Sequence, residues 1–354
     1  MNLIKVFFAS CVFFLAITGL SIYIIDPFQH YRKSSWYQAV YTNELYLNPG
    51  IAKNYTYDSI VLGTSMTENF VLSDIKEQLS FKEPVKLCLA GGQIKTINTT
   101  AKIAFKSGQV KNVLYGLDFL QFKGKINSMR SEMSSFPSYL YDDDLLNDYT
   151  YLFNIDMIME CARPFIYKYT KDPLNPTVNM NKMYSNQYYW GGKPSSQHAI
   201  LDYYNRVLPD KPDLNEYSYE SFIKNFDDNF LPLVQENPET NFYVFFPPYS
   251  ILQFIDMQND RWLNNALRFK LHIFTQLSKY KNVKMYDLQV ASHITHDLLK
   301  YKDVSHYLEE VNLWILKQIK YDNYRLQSLN DVVRNNKQIN DEIKAYDIPE
   351  EPSR

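Results

Sequence analysis

A serine hydroxyl becomes a nucleophile when a neighbouring base takes its proton, and this chain offers the parts for that in two short segments. Ser65 sits in Gly63-Thr64-Ser65, and His306 closes Asp303-Val304-Ser305-His306. A carboxylate three residues before an imidazole can hold one ring nitrogen and leave the other to act as general base. Ser65 follows the apolar run Ser59-Ile60-Val61-Leu62, which reads as a strand. The serine therefore stands at the carboxyl end of a strand, where open α/β sheets carry their ligands. Each residue also has a purely structural reading. Ser65-x-x-Glu68 matches a capping box, in which the hydroxyl and the carboxylate satisfy the first amides of a helix. Such a helix start leaves amides that can bind an oxyanion, so the two readings are compatible. Asp303 could likewise open a helix over residues 307–319, with His306 packed in its first turn.

The elements that must position these side chains are legible as alternating patterns. Apolar strand-like runs occupy residues 59–62, 86–89, 112–117, 241–246 and 283–288. Segments with helical periodicity lie at 95–107, 220–235, 259–279 and 307–319. This alternation predicts βαβ units, hence an α/β fold with a mainly parallel sheet and helices on both faces. Residues 121–212 break the pattern and read as an insertion over the carboxyl edge of the sheet; they include Ser134-Ser135-Phe136-Pro137, Asp142-Asp143-Asp144 and Tyr188-Tyr189-Trp190-Gly191-Gly192. The three aspartates lack the glycine and terminal glutamate of a calcium loop, so a solvated helix start is expected. Phe245-Phe246-Pro247-Pro248-Tyr249-Ser250 ends a strand stiffly and is expected to wall the cleft near Ser65. Residues 321–354 form a polar tail, helical or disordered, ending Ile348-Pro349-Glu350-Glu351-Pro352.

The amino terminus is uncharged from residue 6 to residue 25, long enough to span a bilayer core. No small-residue cleavage site interrupts it, so an uncleaved signal anchor is expected. Phe8-Ala9-Ser10-Cys11 is a poor lipoprotein signal. Counting Lys5 against Arg32 and Lys33 leaves orientation near a tie, but a short basic segment before the apolar run puts the large domain outside the cytoplasm. Residues 26–50, rich in tyrosine, are expected at the interface, and the main domain over 51–320. A net charge of -2 with no basic aromatic patch excludes a nucleic-acid surface. Cys88 and Cys161 read as free buried thiols, with a disulfide between them left open. His293 and His296 lack an identifiable third ligand, so no metal is expected, and no cofactor motif is present.

These blocks resemble the SGNH/GDSL hydrolase superfamily. Gly63-Thr64-Ser65 looks like its serine block, Leu87-Cys88-Leu89-Ala90-Gly91-Gly92 its glycine block, and Asp303-Val304-Ser305-His306 its terminal Asp-x-x-His. By block order the resemblance covers residues 51–320. It implies a three-layer flavodoxin-like sandwich, with Ser65 as nucleophile, His306 as base and Asp303 orienting the ring. The oxyanion would be bound by the amides of Ser65 and of Gly91 or Gly92. The third block departs: Tyr115-Gly116-Leu117-Asp118 stands where the family has Gly-x-Asn-Asp. An ionised Asp118 would repel an oxyanion, so this donor position is altered. With its anchor and insertion the chain is similar to members serving cell-envelope polymers, such as the D-alanyl transfer protein of lipoteichoic acid and polysaccharide O-acetyltransferases. The resemblance implies acyl transfer or ester hydrolysis on a polysaccharide or teichoic-acid-like polymer, alongside a membrane-bound O-acyltransferase. The alternative is a catalytically silent accessory protein that binds the polymer or docks that acyltransferase.

Overall fold

The computed structural model describes residues 3–108, 110–130, 135–170, 179–185, 196–207 and 213–352. Ser134 and the Tyr188 to Gly192 aromatic stretch lie outside the described residues. The sheet holds β1 (Ser59–Leu62), β2 (Pro84–Lys86), β3 (Asn112–Gly116), β4 (Asn241–Phe246) and β5 (Val283–Asp287). They are all parallel, in the order 2-1-3-4-5. Successive strand residues point to opposite faces, so the unbroken burial of β1 means that both faces of the sheet are covered. The chain order reverses between β1 and β3, and a crevice opens at such a point beyond the carboxyl ends. Both Ser65 and Asp118 lie just past those ends.

The helices in chain order are α1 (Leu3–Ile25), α2 (Glu44–Asn54), α3 (Leu72–Leu79), α4 (Ile94–Ser107), α5 (Ser138–Tyr141), α6 (Tyr149–Leu152), α7 (Ile155–Thr170) and α8 (Ser196–Val207). They continue with α9 (Tyr219–Asn229), α10 (Leu231–Gln235), α11 (Ile251–Asn259), α12 (Leu263–Leu277), α13 (Ser292–Thr295), α14 (Glu309–Lys320) and α15 (Leu329–Ala345). α3 packs with α14, while α4, α9, α12 and α15 pack in succession with one another. At 23 residues α1 is about 35 Å long, enough to cross a hydrocarbon core of about 30 Å, and its mean hydropathy is 2.2. Among the described residues it is the one helix long and apolar enough to cross a membrane.

Several boundaries differ from the sequence pattern for identifiable reasons. β2 begins earlier than expected, at Pro84, yet Leu87 and Leu89 still donate to the carbonyls of Val61 and Gly63, each at 2.9 Å. The helix expected over 220–235 is two helices, since Pro232 has no amide to continue α9. That expected over 259–279 starts at Leu263, after Arg261 adopts a left-handed φ of 66°, and a separate helix, α11, precedes it. Residues 44–50, expected at the interface, instead belong to α2, which is buried from Leu45 to Ala52 and packs on α4. The tail folds as α15 under a Ser328–Asp331 capping box, with Val332, Ile339 and Ile343 buried. Its Asn335 donates to Asp287 at 3.0 Å, beside the fully buried Lys270–Asp287 pair.

The residues weighed as possible metal ligands have other partners. His293 packs its ring on Trp314, and His296 lies against Tyr346 with Nε2 3.3 Å from Glu342. Asp144 caps the turn Leu145–Asn147, and Asp143 pairs with Lys106. Cys88 and Cys161 are free and buried.

Candidate active site

Ser65 is delivered by a tight exit from β1. Gly63 has φ 137°, and a Cβ there would come within 2.9 Å of the Gly116 carbonyl on β3. Thr64 then caps the 3₁₀ turn Ser65–Thr67, its Oγ1 3.4 Å from the Met66 amide. The expected capping box on Ser65 and Glu68 is therefore replaced: the threonine before Ser65 caps, and Glu68 is buried below. Burial, then the neighbouring Glu44 carboxylate, push the Glu68 carboxyl well above its ordinary range.

Lys86 fastens the segment that follows the serine. Its Nζ, fully buried at the end of β2, donates to the carbonyls of Glu68 at 2.6 Å and Phe70 at 2.9 Å. Burial pushes this lysine down to about 8 from an ordinary 10.5. Above pH 8 the folded lysine releases a proton that the unfolded one keeps, so stability rises with pH between about 8 and 10.5. Urea unfolding across that window is expected to show a shallower rise in Lys86→Met than in the native chain. An unchanged slope would assign the pH dependence to other groups.

The imidazole arrives on a loop pinned from three sides. Tyr301 and Tyr307 form an antiparallel bridge, and the Lys302 amide donates to the His306 carbonyl at 2.9 Å. Tyr307 Oη donates to the Met66 carbonyl at 2.7 Å, which ties this loop to the serine turn. From the segment between β4 and α11, Ser250 Oγ donates to the Val304 carbonyl at 2.7 Å, and Ser305 Oγ donates to Gln253 of α11. Residues 241 positions apart thereby meet: Ser65 Oγ lies 2.7 Å from His306 Nε2. His306 Nδ1 lies 2.7 Å from Asp303 Oδ2, and Asp303 Oδ1 accepts from the Ser305 and His306 amides, both at 2.7 Å. Burial would raise the Asp303 carboxyl, but the His306 ring and the two amides outweigh it and hold the group below its ordinary value.

Two backbone amides beside the hydroxyl are open to a ligand. Gly91 has φ 58°, a left-handed conformation, with open space on its Cβ side. Among the described residues its amide and that of Ser65 have no protein acceptor. Gly92 is corrected as an oxyanion donor, because its amide already donates to the Leu89 carbonyl at 2.8 Å. Asp118, the altered third position, is turned to a different task. It accepts from Thr64 Oγ1 at 2.9 Å, from the Leu120 amide at 3.0 Å and from Tyr249 Oη. All three contacts use the carboxylate as acceptor, so it braces the serine turn against the β4 exit and donates nothing to an oxyanion.

These groups line one cavity of about 370 Å³, which includes Ser65, Gly91, Asp118, Tyr249 and His306. The His306 side chain is 24% exposed, so the ring is reachable from solvent. Among the described residues of the insertion, Gln121 and Lys123 at its start and Arg206 of α8 near its end line this cavity. Its middle, α6 and α7, contacts α1 instead. The Tyr249 wall is as expected from the proline-rich strand end. Tyr307, Thr64, Lys123 and Arg206 were not singled out by sequence reasoning. Lys86 could have been, as the one charge inside Pro84-Val85-Lys86-Leu87-Cys88-Leu89. No protein-family model matches the chain, and no curated protein matches it.

Proposed function

We propose that this is a membrane-anchored serine esterase or O-acyltransferase of the SGNH type, acting on a cell-envelope polysaccharide or teichoic-acid-like polymer outside the cytoplasm. The observation that carries this reading is the continuous hydroxyl, imidazole and carboxylate chain, with 2.7 Å at each step, whose Ser65 and His306 line a cavity. Geometry of this kind is what a general base needs. The 2-1-3-4-5 strand order and the position of Ser65 at the reversal point support the SGNH assignment.

In the proposed reaction Ser65 Oγ attacks the carbonyl carbon of an ester or thioester while His306 Nε2 takes the hydroxyl proton. Asp303 keeps the other ring nitrogen as a donor and stabilises the imidazolium. The carbonyl oxygen, now negative, is bound by the Ser65 and Gly91 amides. The tetrahedral centre collapses, the bond to the leaving oxygen or sulfur breaks, and His306 returns its proton to that atom. A polymer hydroxyl or water then attacks the carbonyl carbon of acyl-Ser65 while His306 takes its proton; the bond to Ser65 Oγ breaks and His306 returns the proton to that oxygen. Lys123 on the cavity wall favours an anionic polymer, while Arg206 is paired with Asp202 at 3.0 Å, and α1 keeps the domain near the envelope surface.

Asp118 favours a second reading, a silent protein that holds the polymer or docks a membrane-bound O-acyltransferase, since it leaves the oxyanion two amides. Ser65→Ala in cells separates the two. The enzyme reading expects loss of polymer acylation, or of deacylation, with undiminished folded protein; unchanged acyl content would favour the silent one.

A further inference from the structure

We propose that α6 and α7 enter the interfacial layer of the bilayer beside α1, giving the protein a second membrane contact that does not span. This rests on reading α1 as a membrane span. On α7, Ile155, Ile158, Met159, Ala162 and Ile166 follow the i, i+3, i+4, i+7, i+11 spacing of a single helical face. All five are exposed, Ile155 at 77% and Met159 at 70%. The charged Asp156, Glu160 and Arg163 fall off this stripe, and Glu160 and Arg163 pair with each other at 2.7 Å. Leu146, 86% exposed, together with exposed Tyr149 and Phe153, continues the apolar surface towards α1. A contiguous apolar face of this kind marks an interaction surface.

The occupant follows from depth. A Cβ added to Gly19 of α1 would lie 2.9 Å from Phe153 Cε1. Gly19 is six residues before the end of α1 at Ile25, which places Phe153 about 9 Å inside the apolar span at 1.5 Å per residue. Helices lying in a membrane interface bury their apolar face about 5–10 Å deep, so the same depth serves α6 and α7. Lipid surrounds α1 at that level and is what the stripe meets.

The arrangement is held rather than incidental. Asp26, directly after α1, accepts from Tyr151 Oη at 3.1 Å and from the amides of His30, Tyr31 and Arg32. His30 Nε2 lies 3.1 Å from Asp148, and exposed Trp36 packs on Phe165 of α7, as aromatic residues do at the headgroup level. These contacts fix the apolar stripe relative to the span.

The test uses the full chain in phosphatidylcholine and phosphatidylglycerol vesicles carrying a mixture of lipids brominated near the headgroup end and near the methyl end of the acyl chain, so that both the stripe depth and the middle of α1 are reported. A genetically encoded fluorescent amino acid replaces Ile158, Phe14 of α1 or exposed Leu299 in turn, with Met159 as a second position on the stripe. Loss of emission at Ile158 comparable to that at Phe14, with none at Leu299, is the expected result. Quenching at Phe14 without quenching at Ile158 and Met159 overturns the proposal while leaving the anchor intact, including the case where a second copy or another protein covers the stripe. No quenching at any position removes the anchor reading, and this inference with it.

Discussion

Ser65→Ala is expected to lower turnover of an activated ester by roughly 10⁴-fold or more, with the fold intact. The hydroxyl is the atom that meets His306 Nε2, whereas the Thr64 and Tyr249 hydroxyls on the same cavity donate to Asp118 and that of Ser305 donates to Gln253. Removing it leaves His306 held by Asp303 and the loop held by Tyr307, so the site loses an atom without losing its frame. Ser65 is half-buried at the cavity, where its small side chain contributes little packing. Turnover of p-nitrophenyl acetate, followed with thermal unfolding of the same preparation, separates loss of chemistry from loss of structure. A retained rate would take Ser65 out of the reaction.

Asp303→Asn is expected to reduce turnover by about 10³- to 10⁴-fold, because the imidazole then lacks an acceptor that keeps Nδ1 protonated and Nε2 free. The native carboxylate accepts from three donors: His306 Nδ1 and the amides of Ser305 and His306. A carboxamide has one acceptor oxygen, so at least one of these donors would face an NH₂ group. The substitution also has a pH signature. Because the folded carboxyl lies below its ordinary value, its stabilising contribution is fully present above that ordinary value and is lost as pH falls through the folded one. The native chain should therefore exceed Asp303→Asn in melting temperature at neutral pH, by a margin that narrows in acid. A margin independent of pH would mean that the carboxylate charge does not stabilise the loop.

The strand-end serine and the Asp-x-x-His were legible because each is a local pattern on one turn, and the strands because buried parallel strands are short apolar runs. What joins them was not. Tyr307 reaching Met66 and Ser250 reaching Val304 are contacts between distant segments, which no spacing encodes. Gly91 and Gly92 are equivalent in sequence; the bond from Gly92 to Leu89 and the left-handed turn at Gly91 separate them. α11 was missed because Pro247 and Pro248 mask the start of a helix that follows directly, and the Ser250 hydroxyl before it donates to Val304 rather than capping it. α15 is too polar for a core helix by composition, yet a few apolar residues on one face and Asn335 suffice to dock it. The apolar stripe of α7 was hidden within a segment read for its position over the sheet, and its exposure is a property of packing alone.

The most direct measurement is active-site labelling: the folded protein is treated with a fluorophosphonate and the modified residue located by peptide mass spectrometry. An activated Ser65 predicts a phosphonyl group on that residue, with labelling sharply slowed in Asp303→Asn. Folded protein that stays unmodified, or that reacts at another serine, would contradict the account.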